Sequence, residues 1–214
     1  MSIKNVIICG LGALGLTYAN KLKNVCNLKI LANIERIEKY KKNPPILNNE
    51  EIYLDYILPS DNFEADLIII STKSNGLDSA IDFIKNFVSP KTKIISLING
   101  ISSENKIASV YGAEKVIRSF FIGHSAIRTP NGILQDGEGK IVIEPNNEIE
   151  NFFTKNKINF EIATDIHYAQ WVKLGVNIIL NQLSAIYEMK VGELRKQAEY
   201  KELANGLLNE VYLI

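Results

Sequence analysis

Gly10, Gly12 and Gly15 stand at the spacing G-x-G-x-x-G inside VIICGLGALGLTYA, directly after an apolar strand-like run and at the opening of a helical one. That context turns a common pattern into a phosphate-binding turn. The first glycine permits the tight bend, the second lets the backbone approach a pyrophosphate, and the third lets helix and strand pack closely. The free N–H groups and the positive end of the helix dipole then face the anion. The chemistry expected of Gly10, Leu11, Gly12, Ala13, Leu14 and Gly15 is therefore the holding of a dinucleotide; the alternative is a turn that only closes a strand–helix corner. The second predicted strand, LKILA, leads to Asn33, where an NAD-binding turn usually carries an acid for the ribose hydroxyls. A neutral side chain there does not repel a 2′-phosphate, and Arg36, three residues on, can pair with that phosphate or stack on adenine, so NADP is the expected cofactor. The competing reading of Arg36 is a solvated charge on the helix IERIEKYKK.

Far downstream, WVKLGVNIILNQLSAIY carries Lys173, Asn177 and Asn181 at successive spacings of four. On a helix these stack along one face over about 12 Å, with Gln170 and Ser184 close by. The other faces are apolar, so the helix is expected to be extensively buried and its polar groups need partners, which a polar ligand in a substrate cleft supplies. Hydride addition to a ketone creates an alkoxide; a partly desolvated ammonium can donate the proton it needs, and asparagines can hold hydroxyl and carboxylate oxygens without adding charge. The plainer alternative is a helix whose asparagines bond neighbouring backbone while the lysine snorkels.

The elements that must position these groups follow from hydrophobic periodicity. NVIICG, a helix from Ala13 to Lys23, LKILA and a helix from Ile34 to Lys42 give βαβα order. Pro44 to Leu58, with Asn48-Asn49, reads as small extra strands at the sheet edge. ADLIIIST, a helix near Leu77 to Val88, KIISLIN, a helix near Ser103 to Tyr111 and the strand KVIRSFFI follow. ADLIIIST and KIISLIN are apolar at both alternating sets of positions, as parallel strands covered on both faces should be. Asn131-Gly132 and Asp136-Gly137 mark a hairpin-like excursion through GILQ and GKIVIEP before a helix near Glu148 to Lys157. From His167 to Met189 the pattern becomes a long, mostly apolar helix with no strand after it, which predicts a boundary near Asp165. The expected class is α/β: a doubly wound, Rossmann-type parallel sheet over residues 1–165, then a helical segment over 166–214.

Composition narrows the partners. With 24 Lys plus Arg against 24 Asp plus Glu among 214 residues, no net field draws nucleic acid or an anionic membrane. The longest apolar runs are too short to span a bilayer, and the N-terminus lacks the apolar core of a secretory signal, so the cytoplasm is the expected compartment. Cys9 and Cys26 are the only cysteines, too few for a zinc cluster; no metal is expected, and Cys9 reads as a buried, inert thiol.

Taken together, ICGLGALG, STKS, LINGISSE and WVKLGVNIILNQLSA resemble the ketopantoate reductase (2-dehydropantoate 2-reductase) family across nearly the whole chain. The resemblance implies NADPH-dependent reduction of 2-dehydropantoate to pantoate, a step of pantothenate and coenzyme A synthesis. It further implies that Lys173 is the general acid, that Asn177 and Asn181 bind the substrate, and that Lys73 and Asn99 lie near the cofactor and its nicotinamide end, with Asn99 also in the substrate-binding set. Lys73 and Asn99 both follow parallel strands, where doubly wound sheets bind ligands; a loop-capping role is the alternative for each. His124, in FIGHSAIR, falls nearby but is read as structural and kept out of the catalytic set. Family members continue past the residue matching Ile214, and their later helices supply a serine and a glutamate without counterpart in these residues. The apolar faces of 167–189 are therefore expected to be exposed or covered by a partner subunit, as in a homodimer. Three other functions stay open: a reductase of another branched 2-keto acid, a truncated relative that binds NADP without turnover, and an NAD-linked dehydrogenase of another acid.

Overall fold

The computed structural model of the chain describes residues 2–123, 125–194, 196 and 199–213. The chain divides into two compact units, Met1–Ile166 and His167–Ile214.

The first unit opens with β1 (Asn5–Cys9), α1 (Ala13–Leu22), β2 (Asn27–Leu31) and α2 (Ile34–Lys42). Three short strands follow, β3 (Ile46–Leu47), β4 (Glu50–Glu51) and β5 (Tyr56–Ile57), then β6 (Ala65–Ile70), α3 (Leu77–Phe83), β7 (Val88–Ser96) and α4 (Ser103–Tyr111). The unit ends with β8 (Val116–Ile117), β9 (Ser119–Ile122), β10 (Ser125–Thr129), β11 (Gly132–Asp136), β12 (Lys140–Ile143), α5 (Asn147–Lys155) and β13 (Phe160–Ile162). Six strands form one parallel sheet in the order β5-β2-β1-β6-β7-β8. The order runs outward from β1 in both directions, which makes the carboxyl end of β1 the switch point of the sheet.

Alternation along the central strands sends side chains to two separate cores, the period-2 pattern of a sheet covered on both faces. Val6, Ile8, Leu67, Ile69 and Ile95 pack with Tyr18, Ala19 and Leu22 of α1 and with Ile149, Phe152 and Phe153 of α5. Ile7, Cys9, Ile68, Ile70 and Ile94 pack with Leu77, Ala80 and Ile81 of α3 and Ile107 of α4. The doubly wound architecture expected from the apolar strands is thus the one observed.

Three details differ from the sequence-based expectation. Only β5 joins the edge of the main sheet; β3 and β4 instead pair with the β10–β11 hairpin in a second sheet of order β10-β11-β3-β4. KVIRSFFI is not one strand, because Arg118 exchanges bonds with Glu144, its N–H to Glu144 Oε1 at 2.7 Å and its carbonyl from the Glu144 N–H at 3.0 Å. The chain leaves the six-stranded sheet there and enters a three-stranded one, β13-β12-β9. The helix from Leu77 stops at Phe83, and a short 3-10 turn, Lys85–Phe87, leads into β7.

The second unit is helical: α6 (Ile166–Ile186), α7 (Val191–Leu194) and α8 (Tyr200–Tyr212). Twenty-one residues without proline let α6 run unbroken. It ends where Glu188 takes a left-handed φ of 51° and the Met189 N–H turns back to the Ser184 carbonyl. Gly175 of α6 faces Leu208 and Val211 of α8. Tyr168, Val172 and Val176 form an exposed apolar stripe at four-residue spacing, which departs from the extensive burial expected of the helix by itself and agrees with the exposure expected of apolar faces over 167–189. Among the described residues, no helix is long and apolar enough to cross a membrane.

Candidate functional site

In the first unit, the residues singled out by sequence follow four adjacent strands: Asn33 after β2, Gly10 to Gly15 after β1, Lys73 after β6 and Asn99 after β7. The glycine turn is fixed by main chain. Gly10 has φ +104°, and a Cβ there would lie 2.8 Å from the Thr72 nitrogen, so both conformation and space demand glycine. A Cβ on Gly15 would overlap the Gly10 carbonyl oxygen and sit 2.5 Å from the Ser71 hydroxyl. Ser71 locks the same turn by donating its hydroxyl to the Gly10 carbonyl at 2.8 Å and its N–H to the Cys9 carbonyl at 2.9 Å.

Gly12 is different. The nearest atom to a Cβ there is the Ser71 carbonyl oxygen at 3.8 Å, which leaves open space above the backbone. Gly12 is also the N-cap of α1, with no side-chain cap bond and no acid in the first turn, so the helix end is left without a competing anion. Beside the turn, the Thr72 hydroxyl is buried without a hydrogen-bond partner. An open cradle, an uncapped helix end and an orphaned hydroxyl fit a bound dinucleotide phosphate.

Asn33 does local work that the sequence analysis did not credit: its Oδ1 accepts from the Arg36 N–H at 3.1 Å and caps α2. Arg36 is exposed in the first turn of that helix. Its guanidinium is near enough to act on Cys9, whose thiol burial pushes up to about 12 while Arg36 pulls it back. Arg36 thus follows β2, the strand paired with β1, whose carboxyl end carries the glycine turn. Lys73 is exposed, and its carbonyl receives the Gly76 N–H at 2.8 Å, so its main chain caps a short turn while its side chain is directed to solvent. Asn99 is exposed in the loop between β7 and α4. His124 lies outside the described residues.

A second sheet supports the turn from outside. Leu47, Ile52 and Ile133 form a small core with Leu16, against which Leu11 and Ala13 pack. Thr17 hydrogen-bonds the Gln135 side chain, and the Gln135 N–H bonds Asn48 Oδ1 at 2.8 Å. No sequence signal pointed to this support, because it joins segments far apart in the chain. Sequence reasoning also passed over Ser96, Ser103, Glu104 and Ser119, which are buried together below the Asn99 loop.

In the second unit, the four-residue spacing in the continuous helix α6 puts Lys173, Asn177 and Asn181 on one face. Lys173 and Asn177 are half-buried and Asn181 is exposed, while Gln170 is almost fully buried. The Ser184 hydroxyl donates to the Asn181 carbonyl at 3.2 Å, a bond internal to the helix. Among the described residues, no group of three His, Cys, Asp or Glu is placed to hold a metal ion.

The family profile described as ketopantoate reductase PanE/ApbA matches residues 6–148, and its C-terminal counterpart matches residues 165–214. The 2-dehydropantoate 2-reductase of Aquifex aeolicus is 27% identical over 99% of this chain and 72% of its own length. The crystal structure of 2-dehydropantoate 2-reductase from Geobacter metallireducens superimposes with a TM-score of 0.82 at 23% identity, covering 96% of this chain and 73% of that one. D-mandelate dehydrogenase in a ternary structure with NADH and anilino(oxo)acetate gives a TM-score of 0.83 at 20% identity, covering 96% and 72%. At these identities the two structures speak to the fold.

Proposed function

This chain belongs to the ketopantoate reductase family, and we propose that it reduces 2-dehydropantoate to pantoate with NADPH as hydride donor and Lys173 as proton donor. The observation that carries this reading is the family match over both units, which takes in the glycine turn at the switch point and the helix bearing Lys173, Asn177 and Asn181. NADPH, when bound, supplies the hydride that adds to the keto carbon.

The chain's own groups do the rest. The Gly10–Gly15 turn and the uncapped N-terminus of α1 hold the pyrophosphate. Arg36 pairs with the 2′-phosphate, and a neutral Asn33 leaves that charge unopposed; the exposure of Arg36 just after β2, the neighbour of β1, supports this choice over NAD. Lys73 and Asn99 contact the cofactor toward the nicotinamide, and Asn99 also touches the substrate. Asn177 and Asn181 orient the 2-keto acid through hydroxyl and carboxylate oxygens. The Lys173 ammonium gives its proton to the former keto oxygen, so ketone, hydride and proton balance as the alcohol. The same reading places the reaction in the cytoplasm and the chain in a homodimer formed through the second unit, which the exposed stripe of Tyr168, Val172 and Val176 supports.

The test is NADPH oxidation followed on addition of ketopantoate. Lys173→Ala should lower kcat by about 10²- to 10⁴-fold, the usual worth of general acid catalysis, while the dissociation constant for NADPH stays near that of the unmodified chain. Unaltered turnover in the variant removes Lys173 from the mechanism. A well-folded chain that binds NADPH but oxidises none with ketopantoate would instead be a binding module.

A further inference from the structure

Ser96, Ser103, Glu104 and Ser119 are each no more than 3% exposed, and none has a part in the reaction above. Ser96 ends β7 and Ser103 begins α4, so the pair brackets the loop 97–102 that carries Asn99. Their hydroxyls meet at 2.9 Å, Ser96 donating to Ser103, and Ser103 donates in turn to Glu104 Oε2 at 2.8 Å. The other carboxylate oxygen, Oε1, faces the Ser119 N–H at 3.5 Å, and the Ser119 hydroxyl closes the ring by donating to the Ser96 carbonyl at 2.9 Å. Three elements, β7, α4 and β9, are thereby tied to one carboxylate.

A carboxylate withdrawn from water is costly unless its oxygens are bonded, and an apolar side chain of similar volume would pack the same space at least as well. What the acid adds is direction. Its hydrogen bonds fix where Ser103 and, through it, Ser96 must lie, and these residues are the two ends of the loop. Inside the loop, Leu97 and Ile98 are buried in the two cores and the Ile98 N–H bonds the Ser96 hydroxyl at 3.4 Å, whereas Asn99 and Ser102 are exposed and Gly100 has φ +108° with nothing within 4 Å of a Cβ, so the neck adds to the constraint where the loop leaves the core. We propose that Glu104 is a positioning residue: through Ser103 and Ser96 it pins both ends of the loop 97–102 and holds Asn99 at the carboxyl edge of the sheet. The proposal rests on reading Asn99 as a contact to the nicotinamide end of the cofactor.

Hydrogen–deuterium exchange tests the pin without any ligand. In Glu104→Leu and in the milder Ser103→Ala, amides of 97–102 should exchange about tenfold faster or more while those of β1 and β6 keep their protection, and Glu104→Gln, which retains an oxygen acceptor, should recover most of it. Unchanged exchange of 97–102 in Ser103→Ala, or an equal loss over the whole six-stranded sheet, overturns the proposal. NADPH titration then supplies a double-mutant cycle. Asn99→Ala should weaken NADPH binding about tenfold in the unmodified chain but less than about threefold in the Ser103→Ala background, because its amide is already misplaced there. Losses that simply multiply overturn the role in positioning. A chain that binds no NADPH at all refutes the cofactor reading, and the exchange experiment still decides whether the loop is pinned.

Discussion

Gly15 and Gly175 are both buried and both lie within helices, yet a methyl group would meet different surroundings at each. At Gly15 it would collide with the Gly10 carbonyl oxygen, because α1 and the end of β1 touch through their main chains. At Gly175 it would reach Leu208 Cδ1 at 3.6 Å and Val211 Cγ1 at 3.7 Å, ordinary van der Waals contact with flexible side chains. The contrast holds for the two units as wholes. The first presents its candidate site through backbone held in place largely by backbone, whereas the second presents side chains that helical periodicity brings to one face. A dinucleotide phosphate needs the former, since N–H groups must come close to it; a small keto acid can be gripped by the latter.

The largest expected effect is at Gly15. Gly15→Ala should cost about 3 kcal/mol or more of stability, because backbone rather than a side-chain tip must give way, and NADPH binding should be lost with it. Urea denaturation and cofactor titration measure the two; a variant with the original midpoint and affinity would mean that the turn is not held by main-chain contact. Next in size is Arg36, a side chain added to a backbone-built site. Arg36→Ala should weaken NADPH binding by about 10- to 100-fold, the worth of a charge-assisted bond, and leave NADH nearly untouched. Equal losses for both cofactors would remove the 2′-phosphate from the account. Smallest, and opposite in sign, is Gly175→Ala, which should stabilise the second unit by up to about 1 kcal/mol through helix propensity and added contact with α8. A thermal midpoint lowered by this change would show that α6 and α8 need the close approach that glycine allows, and the contrast between the units would fail.

The main sheet was readable because its signals are local. ADLIII is apolar on both faces, the glycine spacing follows a strand and opens a helix, and Ile34–Lys42 and Ser103–Tyr111 are helices over the predicted residues. The second sheet was not readable, since the pairing of Leu47 with Ile133 leaves no trace in either neighbourhood. Asn33 shows a subtler limit. Its neutrality at a position that usually carries an acid invited a reading about the cofactor, and the cap it places on α2 is an equally physical reason for the same residue. For Glu104, an acid beside serines at a helix start looks like ordinary solvent-facing capping, and only the tertiary structure encloses it. In α6 the four-residue spacing predicted a shared polar face and the apolar pattern of 167–189 predicted an uncovered one, but not that Tyr168, Val172 and Val176 would line it.

On an outline of the chain, residues 44–52 and 125–136 resemble two separate decorations that could be trimmed to make a leaner scaffold. The pairing of β3 with β11, and the bond from Gln135 to Asn48, make them halves of one part. Removing either would strip the other of its edge partner, uncover Leu47 or Ile133, and take away the support on which Leu11 and Ala13 rest. Anyone shortening or grafting this protein must therefore carry both segments or discard both, and a version without them would keep its sheet and the main-chain lock of its glycine turn while leaving Leu11 and Ala13 uncovered.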